Sequence, residues 1–346
     1  MIAVVRRLSM TMPDQATFDP HESPIPHVGT SGTRTAYCPG CGQTQASQVL
    51  LIPGDPSQSR RHFAYTFCAG CETLAFADDE VDPSQFYGEG YYSQRLARQG
   101  ALKRTALRLR NHINAAGPSW LNDVVRARSE HAVLPSLRPI LLAGRIGRAS
   151  RWLDIGCGAG RLLHDMRDIG FRDLTGADPF MQEEAQLPGL RLMRTDGLDL
   201  DESFDCVMMH HSLEHMPDTD AVLKRLHTLV RPEGVALIRL PLCGSYAWRR
   251  YGGEWGNLDA PRHLVLWSAR GFIAAAERAG WKVGQVVYDS KGRSLYASEA
   301  RLAGASEHFE DVRKLFSRAA IASHEAQAVA LNQSGAADSA AFYLTR

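Results

Sequence analysis

The chain reads as an α/β protein: a mainly parallel sheet with helices on both faces, preceded by a small β unit and a helical connector. Three observations carry this reading. From residue 151 onward, short apolar runs alternate with segments of helical period, the pattern of strand–helix–strand units. Two C-x-x-C pairs, Cys38/Cys41 and Cys68/Cys71, stand near the N-terminus with 26 residues between them. Between these regions, residues 93–151 hold twelve Lys/Arg and two acids, a net +10, against 27 basic and 36 acidic residues elsewhere.

With 346 residues the chain has room for one large domain and a small one, and a hydrophobic content of 44% supports a real core. The formal net charge of +1 names no partner. Seven cysteines, an odd number, argue against a disulfide framework. No apolar run approaches a secretory signal or a membrane span, so a cytoplasmic chain is expected.

Residues 1–33 are rich in Pro, Ser, Thr and His without periodicity and read as a disordered tail, with Met10 or Met12 as alternative starts. A ribbon follows over 34–78. Glycine inside each C-x-x-C relieves the tight turn that lets two thiolates converge on one cation, and the alternating "HFAYTF" between the pairs suits a strand. A redox role needs only one pair, at the start of a helix, and that context is missing. Cys38, Cys41, Cys68 and Cys71 therefore read as the ligands of a structural zinc ion. Residues 79–145 form the connector. Its "ALKRTALRLRNHI" predicts a helix with a basic face, either solvated or a platform for an anionic substrate or nucleic acid.

The second domain spans 146–346. "RWLDIG" is a buried strand, followed by a helix from Gly160 to Gly170. "DLTGAD", "LRLMRTD" and "FDCVMMHH" are the next strands. "TDAVLKRLHTLV" is a helix with Thr219 or Asp220 near its cap. "GVALIRLPL" is a fifth strand, "SARGFIAAAERAG" a helix and "WKVGQVVYD" a sixth strand. A helical insert over roughly 300–331 precedes a last strand, "AAFYLTR".

"LDIGCGAG" places Asp154, Gly156, Gly158 and Gly160 just after the first of these strands. The dinucleotide fingerprint G-x-G-x-x-G is not met, because Arg161 stands where the third glycine belongs. G-x-G-x-G suits a ligand whose amino-acid portion folds into the turn. Asp178 ends the second strand, 22 residues after Gly156, where a carboxylate can accept from both ribose hydroxyls. Asp196 ends the third, where one can accept from an adenine amino group. Three features at consecutive strand ends are far more specific than any one alone.

"LDIGCGAG", "GADP", "FDCVMMHHSLEHMPD" and "LVRPEGVALIRLP" resemble the class I S-adenosylmethionine-dependent methyltransferases over about 146–346. "LDAPRHLVLWSARGF" is similar to a bacterial subgroup with an N-terminal cysteine ribbon and a Tyr-Tyr connector. The resemblance implies a Rossmann-like, seven-stranded sheet whose last strand is antiparallel. It implies cofactor contacts from Asp154, Gly156, Cys157, Gly158, Gly160, Asp178 and Asp196, with His210 and His211 beside them. It also implies a small-molecule, sugar, lipid-linked or natural-product acceptor.

Candidates for the chemistry cluster in "HHSLEH" and "PRH". Glu214 and His215 can act as a base and its orienter, with His263 as a further base. Alternatively His211, Glu214, His215 and His263 can bind a divalent ion such as Mg²⁺ or Mn²⁺; some relatives carry E-x-x-E-H where this chain has His211. As a third option these residues only shape a loop. "CGSYAWRRYGGEWGNLDAPRH" supplies Tyr246, Trp248, Arg249, Arg250, Tyr251 and Trp255, which suit a lid over a polar ring or packing against the connector. Rival functions are an RNA methyltransferase that grips phosphates with the basic connector, and a non-catalytic binding module.

Overall fold

A computed structural model describes residues 25–54, 61–86, 101–116, 134–305 and 312–346. Connector residues 87–100 and 117–133 and most of the N-terminal tail lie outside these residues. Two sheets organise the chain.

The small sheet is an antiparallel meander of β1 (Gly29–Tyr37), β2 (Thr44–Pro53), β3 (His62–Phe67) and β4 (Leu74–Phe76). Alternation on β2 and β3 turns Leu50, Ile52, Phe63 and Tyr65 inward. β1 begins at Gly29, so the expected tail boundary at 33 falls inside a strand. Its sequence, GTSGTRTAY, is exposed along nearly its whole length, so it carries no apolar alternation; it is held by backbone pairing to β2.

The fifth strand of this sheet comes from nearly 190 residues further on. β11 (Val265–Leu266) pairs antiparallel with β4, Val265 opposite Ala75 and Leu266 opposite Leu74. The ribbon and the second domain thus share one sheet.

The large sheet runs β12 (Lys282–Tyr288), β13 (Ser339–Thr345), β10 (Val230–Pro241), β9 (Phe204–His210), β5 (Arg151–Ile155), β6 (Asp173–Ala177), β8 (Leu190–Met193), β7 (Ala185–Leu187). β5, β6, β8, β9 and β10 are parallel, and β13 is antiparallel to both its neighbours. The seven expected strands are all present. β7 adds an eighth, a three-residue antiparallel edge too short to show a period in the sequence.

The described helices are α1 (Ala101–Ala116), α2 (Arg138–Leu142), α3 (Arg161–Asp168), α4 (Thr219–Leu229), α5 (Tyr246–Tyr251), α6 (Ala269–Arg278), α7 (Gly292–Leu302) and α8 (Arg318–Ser334). α4 is capped by Asp218, which accepts from the amide of Ala221, one residue ahead of the expected cap. α4 and α6 cover one face of the large sheet; α1, α2 and α3 cover the other.

A third core joins the two sheets. Leu50, Ile52, Phe63, Tyr65 and Leu74 of the ribbon pack with Trp248, Tyr251 and Trp255. Those aromatics, read as a lid or as packing against the connector, are ribbon-facing core, each no more than 2% exposed, and Val81 and Phe86 of the connector pack against the same cluster. Arg249 is also taken, by Glu72 at 2.8 Å. Further clamps hold the ribbon. Arg278 of α6 donates to the carbonyls of Gly40 and Pro39 at 2.8 and 2.7 Å, and the Ser268 hydroxyl donates to the carbonyl of Cys71.

Candidate functional site

The four ribbon cysteines converge. Cys38 Sγ lies 3.4 Å from Cys71 Sγ, and Cys41 Sγ 3.7 Å from Cys68 Sγ. Thiolates ~2.3 Å from a tetrahedral zinc sit about 3.8 Å apart, so this cluster fits one ion. Both turns have the same backbone form: the amide of Gly42 donates to the carbonyl of Cys38, and that of Glu72 to Cys68. Gly42 and Glu72 each take a positive φ, +73° and +58°. The hydrogen bond with Cys38 draws the Cys71 thiol down to about 4, and Thr73 assists.

The second site lies at the carboxyl ends of the parallel strands, where open α/β sheets bind ligands. β5 delivers Asp154 and the glycine loop. Gly156 has φ +75°, and a Cβ there would meet the Ser212 side chain at 2.5 Å, so only glycine fits. Ser212 in turn donates to the carbonyl of Ile155 at 2.9 Å, locking the loop after β9 onto the glycine loop. Asp178, after β6, accepts from the amides of Gly158 and Phe180, both at 2.8 Å. It thereby shapes the glycine loop as well as standing at the expected ribose position. Asp196 is exposed at the same edge and accepts from the amide of Leu198 at 2.9 Å. Burial pushes the Cys157 thiol up, so this loop residue offers backbone rather than reactive sulfur.

Several groups here are buried without partners. Burial, with Asp178 beside it, pushes the Asp154 carboxyl up to about 8, and its Oδ1 has no hydrogen-bond partner among the described residues. Both ring nitrogens of His210 are likewise buried and unsatisfied; burial first, then Arg239 and His211, lowers its pKa to about 3. Unsatisfied buried polar groups are costly, so each calls for a partner, a ligand or an ordered water among them. A zwitterionic nucleoside ligand suits this edge.

His211 is placed differently from its expected role beside the cofactor. Its Nδ1 lies 3.3 Å from Glu214 Oε1, and its Nε2 faces the guanidinium of Arg239, whose Nε donates to Asp289 at 2.5 Å. Protein groups therefore occupy both ring nitrogens. Sequence reasoning missed Arg239 and Asp289. The signal was a lone arginine inside the apolar run "GVALIRLPL".

Glu214 is fully buried. Burial pushes its carboxyl up, but the His211 hydrogen bond and the neighbouring His211, His215 and His263 outweigh this and hold it at about 2. Ligand atoms of Glu214, His215 and His263 all lie within 4.8 Å of one another. His263 Nδ1 sits 3.0 Å from the carbonyl of Asn257, and His215 Nδ1 2.9 Å from that of Arg262. A carbonyl only accepts, so each Nδ1 carries a proton; His263, held neutral by burial, keeps its lone pair on Nε2. His263 Nε2 faces Glu214 at 3.9 Å and Asp259 at 3.8 Å. Burial lowers the His263 pKa to about 4. Two residues around this pair, His211 and Asp259, hold positive φ (+53° and +45°), strain of the kind that gathers at functional sites.

The basic stretch is partly neutralised within the fold. Arg108 pairs with Asp168 at 3.0 Å, and Arg151 with Glu202 at 2.5 Å. Arg145 faces Glu233 at 3.4 Å.

Comparison with known proteins bears on this edge of the sheet. The family pattern described as a methyltransferase domain matches residues 127–286. A ubiquinone biosynthesis O-methyltransferase of Xanthomonas oryzae pv. oryzae is 30% identical over 168 residues, covering 43% of this chain and 68% of that protein. The chain belongs to the S-adenosylmethionine-dependent methyltransferases. A namesake from Azorhizobium caulinodans is 29% identical over 178 residues, 48% of this chain and 66% of that one. The methyltransferase thus spans about two thirds of the length of these curated relatives. Among solved structures, a cyclopropane synthase of Mycobacterium tuberculosis aligns with a TM-score of 0.40 at 14% identity, over 64% of this chain and 88% of that one. No described helix of the methyltransferase is long and apolar enough to cross a membrane.

Proposed function

We propose that the chain transfers a methyl group from S-adenosylmethionine to a nucleophile on a small-molecule, sugar, lipid-linked or natural-product acceptor, with His263 as the general base. The observation that carries this is His263 itself. Its proton is fixed on Nδ1 by Asn257, and its Nε2 lone pair faces two carboxylates that stabilise the imidazolium formed when it takes a proton. Glu214 is the orienter, and His215, with rings 4.7 Å apart, packs beside His263. The cofactor supplies a methyl already activated on a sulfonium. The protein's part is to hold the acceptor in line, exclude water and accept the proton.

Asp154, the glycine loop and Asp178 hold the cofactor, with Asp196 toward the base. The names of the curated relatives, for ubiquinone biosynthesis, support a small-molecule acceptor. The internal pairing of Arg108, Arg145 and Arg151 weighs against a phosphate-gripping platform. Methyl transfer from labelled cofactor to fractionated extract, followed by mass identification of the product, tests the reading. His263→Ala is the control and should lower turnover by ~10²-fold or more with cofactor affinity unchanged.

The clustering of Glu214, His215 and His263 supports a second reading, a divalent ion at these three residues. His211 drops out of that ligand set because Arg239 and Glu214 engage it. Under this reading a chelator abolishes turnover and Mg²⁺ or Mn²⁺ restores it while the ribbon keeps its zinc. We assign that zinc, a structural ion, to Cys38, Cys41, Cys68 and Cys71.

A further inference from the structure

Helix α1 turns two asparagines inward. It exposes Leu109 to 64%, yet buries Asn111, Asn114 and Ala115 to 1% or less. Positions 111, 114 and 115 share one helical face. Apolar side chains belong there, and asparagine is both a poor helix former and a rare fully buried residue. Asn111 is accounted for: it hydrogen-bonds with Asp165 of α3 and with Arg110. Asn114 is not. Its Oδ1 and Nδ2 are both buried, and neither has a partner among the described residues.

The register of α1 on α3 says where Asn114 lies. Arg108 pairs with Asp168, and Asn111 with Asp165, so the helices run antiparallel, three residues per step on each. The next step brings Asn114 level with the first turn of α3, where the glycine loop ends at Gly160. Ala115 packs in the same core as Trp152, Cys206 and Met208, on the sheet face that carries Asp154 and His210. On each strand these residues alternate with the opposite face, two apart from Trp152 and Met208. Asn114, Asp154 and His210, each with unsatisfied buried atoms, therefore belong to the same layer between this sheet face and the helices that cover it.

We propose that Asn114 closes the cofactor pocket from the outer side and binds the α-amino-acid end of S-adenosylmethionine, Oδ1 accepting from the ammonium and Nδ2 donating to the carboxylate. A primary amide donates from its nitrogen and accepts at its oxygen at the same time, and a zwitterion presents the complement of both. The proposal rests on the cofactor reading above. It makes α1 part of the site, a residue class that motif reasoning on the glycine loop does not reach.

The test is calorimetric titration of the full chain with S-adenosylhomocysteine and, separately, with 5′-methylthioadenosine, which lacks the amino-acid end. Asn114→Ala and Asn114→Leu should each weaken S-adenosylhomocysteine at least tenfold and leave 5′-methylthioadenosine within twofold. Asn114→Leu should also raise the unfolding midpoint of the ligand-free protein, because it removes two unsatisfied polar atoms. Equal weakening of both ligands overturns the contact, as does unchanged affinity for S-adenosylhomocysteine. If the unaltered chain binds S-adenosylhomocysteine and the variants match it, Asn114 alone is misassigned. If the unaltered chain binds neither ligand, the cofactor reading falls and this contact with it.

Discussion

The hydroxyl of Tyr65, on the third ribbon strand, donates to the backbone carbonyl of His263 at 2.8 Å. One residue on, the carbonyl of Leu264 accepts from the amide of Phe76 at 2.8 Å, and the β4–β11 pairing follows. The base candidate is thus held by the ribbon as much as by its own domain. Tyr65→Phe leaves a buried carbonyl unpaired, at a cost of about 1 kcal/mol. Expressed in the barrier, that is roughly a fivefold fall in kcat. Steady-state kinetics should show this with KM for the cofactor unchanged; an unaltered kcat would separate the ribbon from the chemistry.

The ribbon should hold one zinc per chain. Metal analysis of purified protein is expected to find about one equivalent, lost in Cys38→Ser and in Cys71→Ser. Full occupancy in both variants would remove the metal assignment.

Asp178 shapes the glycine loop through Gly158 and is the residue we propose for the ribose hydroxyls. Asp178→Ala should therefore weaken S-adenosylhomocysteine by roughly 1–3 kcal/mol. Calorimetry decides this, and wild-type affinity would mean the ribose acid lies elsewhere.

Buried histidines give stability an acid dependence. His263 and His210 are lowered to about 4 and 3, against ~6.5 in an unfolded chain. Between pH 6.5 and about 4 the unfolded state takes up two protons that the native state refuses, so stability falls on acidification. Asp154, raised to about 8, works the other way, because its native carboxyl already holds a proton over that range. Among these three groups the net is one proton, a contribution of about 1.4 kcal/mol per pH unit. Asp154→Asn should roughly double the slope. Denaturant unfolding across this range measures both, and a flat profile would show that these histidines are not held neutral. On the same grounds the acid limb of kcat/KM should lie near pH 4 to 5, well below that of an ordinary histidine.

Features carried by local pattern were legible in the sequence. The paired C-x-x-C turns, the alternation of "HFAYTF", the glycine loop and the strand-end positions of Asp154 and Asp178 each follow from short spacing. What escaped depends on contacts distant in the chain. Val265–Leu266 is two residues long and gains strand character only from β4. Trp248, Tyr251 and Trp255 look like a lid until Phe63 and Tyr65 cover them. β1 is exposed and polar, so backbone pairing holds it where hydrophobic period would normally announce a strand. Arg239, Asp289 and His211 form their chain of contacts across three separate segments.

The borrowed strand has a consequence during synthesis. The ribbon's own four strands have emerged by residue 76, but the strand that completes their sheet ends at residue 266. At ~5–20 residues per second, the free edge of β4 waits on the order of 10–40 seconds for its partner. An unpaired edge is a template for pairing with another chain. Substitutions that slow elongation between the two segments, or that loosen Val265 and Leu266, should therefore lower the yield of active protein before they alter any property of the finished molecule.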